Sequence, residues 1–189
     1  RNLANYDLIE PEDFKQLLKH IVECLKNKHS QLYFMIAGGR SSYAKALKYI
    51  SAFDETDLKL AGKGSYTKLT SSGTVCNMGK YPMPPEIILV YSQTGMLLKD
   101  NTLLDFSLKR PPLPISGGYP TEKPAELISQ IIEQSTYKGD LILDPFGGSG
   151  VVMQEALKLK RKVHTIDISE VSINNFILPK LERSSEWNI

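Results

Sequence analysis

The chain is poor in the residues that announce metal or disulfide chemistry. It has 189 residues, of which two are cysteine, three histidine and one tryptophan. Cys24 and Cys76 stand far apart, with no Cys-x-x-Cys pair and no histidine cluster. That argues against a structural zinc and a disulfide framework, and makes a reducing compartment the expectation. No apolar run approaches the roughly 18–20 residues of a membrane-spanning helix, and no signal peptide is visible. The formal net charge is only +2. A near-neutral total neither requires nor excludes nucleic acid, because a basic stripe can sit on a balanced whole. There is no internal repeat and no low-complexity tract. His20, His29 and His164 fall on helix or strand patterns and read as structural.

What is present suits one globular domain with a sizeable core: 41% apolar and 23% charged residues. Phe14, Leu17, Leu18, Ile21, Val22 and Leu25 recur at helical steps, predicting an amphipathic helix over 11–25 with Pro11 in its first turn. Gln31 to Ile36 reads as a buried strand, followed by a turn at Gly38-Gly39 and a helix capped by Ser41 or Ser42. Residues 53–85 read as irregular, Glu86 to Tyr91 as a strand, and residues 94–119 as a long loop marked by Pro111, Pro112, Pro114 and Gly117-Gly118. Then come a helix over 124–136, a strand ending at Asp144, a helix over 151–160, a strand ending at Asp167, and a last helix that Pro179 kinks or ends. This alternation predicts an α/β fold, a doubly wound and mostly parallel sheet. Ligands of such sheets bind outside the carboxyl ends of the strands, the rim where Asp144 and Asp167 fall.

The densest signal is Asp144-Pro145-Phe146-Gly147-Gly148-Ser149-Gly150. A strand ends in an acid, turns through three glycines and feeds a helix. Glycines let the backbone approach a ligand, and a helix start presents free N–H groups to it. The pattern lacks the Lys-Ser/Thr of a phosphate loop and the spacing of a dinucleotide loop. A smaller anion, such as an amino-acid carboxylate, fits better than a pyrophosphate. Asp167, at the next strand end, is placed to accept hydrogen bonds from ribose hydroxyls. A carboxylate, an amine and a ribose together describe S-adenosylmethionine.

Tyr119-Pro120-Thr121-Glu122-Lys123-Pro124 precedes this loop. Together the two segments resemble those of the amino-methylating DNA methyltransferases, which modify N6 of adenine or N4 of cytosine. Tyr119 to Pro124 is similar to that family's His-Pro-Thr-Gln-Lys-Pro segment, and Asp144 to Gly150 to its Asp-Pro-Phe-x-Gly-Ser-Gly segment. The resemblance implies that Thr121 and Lys123 contact the methionine end of S-adenosylmethionine. It implies that Asp144, Pro145, Phe146, Gly147, Gly148, Ser149 and Gly150 wrap the methionine portion, that Asp167 binds the ribose, and that Ile168 packs on the adenine. Tyr119 stands where the family has His, Glu122 where it has Gln, and Val151 where it often has Thr.

The cofactor motifs come late in the chain, which resembles the family's β arrangement, in which the catalytic motif and target recognition come first. That catalytic motif is Asp, Asn or Ser followed by Pro-Pro and an aromatic residue. Pro84-Pro85 lies between Met83 and Glu86, and Pro111-Pro112 between Arg110 and Leu113, so neither fits. The expectation is that the motif lies before Arg1, and no catalytic residue is assigned. The resemblance further implies double-stranded DNA as partner, target-recognition segments near 54–85 and 94–118, a homodimer or partner subunit, and the cytoplasm of a bacterial, archaeal or phage-infected cell. Lys63, Lys68, Lys80, Lys99, Lys109 and Arg110 are the candidate phosphate contacts. Lys158, Lys160, Arg161 and Lys162 read instead as the positive charge favoured at a helix C-terminus. Two rival readings share these motifs: a non-catalytic protein that kept the fold, and an RNA methyltransferase.

Overall fold

A computed structural model describes residues 9–25, 27–36, 46–78, 80–99, 104–109, 119 and 121–186. The chain divides into two compact units, Arg1–Ser107 and Leu108–Ile189.

In the first unit, α1 (Pro11–Cys24) opens with proline in its first turn, followed by Glu12 and Asp13, whose charge favours the positive helix start. It buries Phe14 and Leu18 against Ala52, Phe53, Leu58 and Tyr91. The Phe53 and Tyr91 rings stack with centroids 3.9 Å apart. The sheet contains β1 (Gln31–Ile36), β2 (Lys59–Leu69), β5 (Glu86–Ser92) and β6 (Asp105–Lys109), in the order β1-β5-β2-β6. The short β3 (Asn77–Met78) and β4 (Tyr81–Pro82) form a separate antiparallel ribbon. Ile88 and Val90 of the central strand are fully buried.

Strands β2 and β6 correct the sequence reading, which left both stretches irregular. Gly62, Gly64 and three lysines disguise β2, because glycine and lysine are depleted in strands. The strand forms through its partner instead, pairing antiparallel with β5 from Lys59↔Ser92 to Tyr66↔Glu86. Its glycines serve close approach: a Cβ at Gly64 would sit 2.1 Å from the Leu104 carbonyl oxygen. The expected turn at Gly38-Gly39, the cap at Ser41 or Ser42, and the prolines and glycines of 111–118 lie outside the described residues.

In the second unit, α2 (Ala125–Ser135) buries Leu127, Ile128, Ile131 and Ile132, the face expected from their spacing. β7 (Leu141–Asp144), α3 (Val151–Lys158) and β8 (Lys162–Thr165) form a β-α-β unit whose strands pair in parallel. The core joins Ile128 and Ile132 of α2 to Val151 and Ala156 of α3, with Ile142 and Val163 packed on it. Arg161 is buried. Its guanidinium donates to the Thr136 side chain (3.0 Å) and carbonyl (2.9 Å) and to the Leu159 carbonyl, so it satisfies backbone just beyond the ends of α2 and α3.

The C-terminal helical run comprises Glu170–Ser172, a π-helical turn Ile173–Ile177 and an α-helical segment Leu178–Glu182. Pro179 does not end it. The backbone widens just before the proline, with the Leu178 N–H bonded to the Ile173 carbonyl. A wider turn relieves the clash between a proline ring and the carbonyl four residues earlier.

The α/β class therefore stands, with a smaller parallel share than expected. Parallel pairing runs between β7 and β8, whereas β5 is antiparallel to both β1 and β2. One helix, α3, separates β7 from β8, as a parallel crossover requires, while β5 inserts between two strands that it opposes.

Candidate functional site

The site is built at the carboxyl end of β7 and β8, within the second unit. β7 ends at Asp144, as the sequence suggested; β8 ends at Thr165, so Asp167 lies two residues beyond its strand. The chain after β8 folds back over the turn after β7. The Ile166 N–H bonds the Asp144 carbonyl at 2.9 Å, and the Gly147 N–H bonds the Ile166 carbonyl at 2.7 Å. This lacing brings both acids to one rim.

The glycines are dictated by their neighbours. A Cβ at Gly147 would meet Thr165 Cγ2 at 2.5 Å and Ile177 Cδ1 at 2.9 Å. Gly148 and Gly150 have φ of +48° and +75°, in the left-handed region that L side chains rarely adopt. Gly150 is the N-cap of α3 and its carbonyl accepts from the Gln154 N–H at 3.0 Å. Ser149 is buried, and its hydroxyl accepts a 3.4 Å bond from the Val151 N–H.

Asp167 is the hub of this geometry. One carboxylate oxygen accepts the Gly148 N–H at 2.7 Å and the other the Ser169 N–H at 2.8 Å. A carboxylate offers about four lone-pair directions, so two remain for hydroxyl donors. Asp144 is different. Its Oδ1 accepts a 3.3 Å bond from the Phe146 N–H, whereas its Oδ2 is buried with no partner among the described residues. Burial raises its pKa from 3.8 to about 6; the Phe146 N–H opposes the rise and the Asp167 charge adds to it. A buried carboxylate oxygen in that state is suited to a cationic donor.

Apolar side chains border the acids. Phe146 and Ile166 are each more than half exposed, and Ile168 is 97% exposed. Ile168 therefore presents an uncovered apolar surface at this rim. Tyr119 stands over the loop: its hydroxyl would lie 3.2 Å from a Cβ at Gly148, and its ring meets Phe176 edge-on at 5.1 Å. Thr121 is exposed and Lys123 half-buried in the same segment; Pro120 is outside the described residues. Phe176, Ile177 and Lys180, which back the loop, were not singled out from the sequence. Their helical spacing marks them only as parts of an amphipathic run.

The described candidate phosphate contacts stand on different elements. Lys68 is committed to buried Glu86 as an ion pair. Lys63 is exposed on β2, Lys109 exposed on β6, and Lys80 exposed beside the β3–β4 turn. Lys99 is half-buried, and Arg110 lies outside the described residues. Lys63, Lys68 and Lys109 thus stand on strands and Lys80 beside a tight turn, where irregular recognition segments were expected. The histidines are solvent-exposed, and no cluster of metal-ligating side chains occurs among the described residues. No described helix is long and apolar enough to cross a membrane.

Comparison with known proteins follows the same segment. A family model described as DNA methylase, N6_N4_Mtase, matches residues 98–177. The type II methyltransferase M2.DpnII of Streptococcus pneumoniae is 41% identical over 73 residues, which are 39% of this chain and 27% of that protein. M2.MboI of Moraxella bovis is 65% identical over 34 residues, 18% of this chain and 12% of its own. The aligned stretches thus span about a quarter or less of these relatives. Among solved structures, a complex of M1.HpyAVI with SAM aligns with a TM-score of 0.68 at 20% identity, covering 90% of this chain and 81% of its own. The cytosine-N4-specific PvuII DNA methyltransferase aligns at 0.67 and 14% identity, covering 98% and 82%. At those identities the structural likeness establishes the methyltransferase fold, and the sequence matches identify the segment. Residues 98–177 of this chain thus match the model of the N6/N4 DNA methylases, and part of the chain is similar to type II methyltransferases.

Proposed function

We propose that the whole protein transfers a methyl group from S-adenosylmethionine to an exocyclic amine of double-stranded DNA, N6 of adenine or N4 of cytosine. The observation that carries this reading is Asp144: a buried carboxylate oxygen without a described partner, at a strand end beside a glycine loop. An ammonium is its natural complement, and the methionine end of S-adenosylmethionine carries one.

The other residues suit the same ligand. Asp167 keeps acceptor capacity for ribose hydroxyls, and exposed Ile168 offers a surface for the adenine. Thr121 and Lys123 would contact the methionine carboxylate end, while Asp144 and Pro145 to Gly150 would wrap the methionine portion. The bound cofactor supplies an electrophilic methyl group on a sulfonium. The residues of this chain would align it: Asp144 would hold its methionine end and Asp167 its ribose. Alignment matters because methyl transfer depends on approach geometry more than on a strong base. The target base must leave its stack, since an amine inside a duplex cannot reach the sulfonium. The element that accepts the amine protons is not assigned to any residue of this chain.

DNA phosphates would meet exposed Lys63, Lys80 and Lys109. A second copy or a partner subunit completes this reading, with the bacterial, archaeal or phage-infected cytoplasm as its setting and restriction–modification as its system. Incubation of the whole protein with methyl-labelled S-adenosylmethionine and mixed-sequence duplex tests it. N6-methyladenine or N4-methylcytosine carrying the label is expected. Cofactor binding with no label on DNA overturns the reading in favour of a non-catalytic protein, and label on RNA alone overturns it in favour of an RNA enzyme.

A further inference from the structure

We propose that Lys180 is a positioning residue: by pairing with Glu122 it ties the Tyr119–Lys123 segment to the C-terminal helical run that backs the glycine loop. This inference rests on the cofactor reading above and assigns part of its affinity to residues outside the motifs.

Lys180 Nζ lies 2.7 Å from Glu122 Oε1, a pair 58 residues apart in sequence. The two side chains are only 15% and 28% exposed, so water screens them less than a surface pair. The Lys180 stem passes 3.6 Å from the Cβ position of Gly150, and Ile177 packs against both Gly147 and Gly150. Phe176 meets the Tyr119 ring at 5.1 Å. One helical run thus contacts both halves of the candidate pocket, the glycine loop through Ile177 and the Tyr119 segment through Phe176 and Lys180. Phe176, Ile177 and Lys180 share this side of the run by their helical spacing. Tyr119 and Glu122 each meet a partner on that run. An aromatic edge and an ion pair therefore hold the segment.

The test uses the whole protein with Lys180→Met, Glu122→Gln, and the charge swap Glu122→Lys with Lys180→Glu. Titration calorimetry with S-adenosylmethionine and circular dichroism are the readouts, joined by methyl-transfer kinetics. Each single variant should keep its circular dichroism and weaken cofactor binding by about tenfold, the scale of one partly desolvated pair. KM for cofactor should rise while kcat at saturating cofactor stays within about twofold. The charge swap should recover most of the lost affinity, an outcome that mere loss of packing does not produce. Wild-type affinity in both single variants, or a swap as weak as the singles with circular dichroism intact, overturns the role of Lys180 and leaves the cofactor reading standing. Absence of S-adenosylmethionine binding in the unmutated protein removes both.

Discussion

The Asp167 carboxylate accepts the backbone N–H of Gly148 at 2.7 Å, across the gap between the turn after β7 and the end of β8. The acid expected to meet the ribose therefore also fixes the glycine turn. In the proposed pocket the ribose and methionine ends would share one anchor.

That double duty separates two substitutions. Asp167→Asn preserves shape and one acceptor, whereas Asp167→Ala frees the Gly148 N–H as well as removing the proposed ribose contact. Asp167→Ala should weaken S-adenosylmethionine binding by roughly 1–3 kcal/mol, and Asp167→Asn by less. Hydrogen exchange at the Gly148 amide should quicken in the alanine variant. Unchanged affinity, or unchanged exchange, contradicts the shared anchor.

Asp144 predicts a pH dependence. Burial holds its pKa near 6 in the fold, against an ordinary 3.8. The ligand-free fold therefore binds this proton more tightly than the unfolded chain. The group's contribution to stability is fully present below about pH 4 and is lost as pH rises through about 6, by at most ~3 kcal/mol. Asp144→Asn should abolish that slope, so urea melts of the ligand-free protein at pH 5 and 7.5 should differ between wild type and variant. Cofactor affinity should move the opposite way, rising between pH 5 and 7 as Asp144 ionises to meet an ammonium. A wild-type affinity that is flat over this range refutes the contact.

The two adjacent glycines should fail differently. Gly147→Ala places a Cβ 2.5 Å from Thr165 and 2.9 Å from Ile177, so it should destabilise the fold by about 1–3 kcal/mol. Gly148 is left-handed backbone, and the nearest described atoms to a Cβ there belong to Tyr119. Gly148→Val should cost about 1–2 kcal/mol of backbone strain and obstruct the ligand path while the helices stay folded. Equal cofactor affinity in wild type and Gly148→Val, measured by calorimetry, counts against the loop as the site.

Arg161 sits in a run of four basic residues, yet its buried guanidinium serves the carbonyls of Thr136 and Leu159. Arg161→Met should lower stability by about 2–3 kcal/mol in denaturant melts and leave the salt dependence of DNA binding unchanged. Lys63→Ala and Lys109→Ala should do the reverse, each reducing the slope of log affinity against log salt by about 0.9 with little effect on stability. A salt slope that moves with Arg161 and not with the lysines contradicts this division.

Much of the second unit was legible because its signals are local. The apolar face of α2 has helical spacing, and the Asp144 to Gly150 turn needs glycine for reasons of backbone geometry. The first unit hid β2 and β6 because their stability is not local. β2 owes its form to pairing with β5, and Gly64 to the approach of Leu104, neither of which a sequence window contains. The same holds in the site. Asp144 was identifiable as a strand-end acid, and Asp167, expected at its strand end, lies two residues beyond it; the bond from Gly148 to Asp167 and the pair of Glu122 with Lys180 join residues distant in sequence.

Titration calorimetry of the whole protein with S-adenosylmethionine, beside Asp144→Asn and with NAD as a control, tests the pocket most directly. Binding by the wild type, a loss of at least about tenfold in the variant, and no heat with NAD are expected. No binding of S-adenosylmethionine, or tight binding of NAD, contradicts the account.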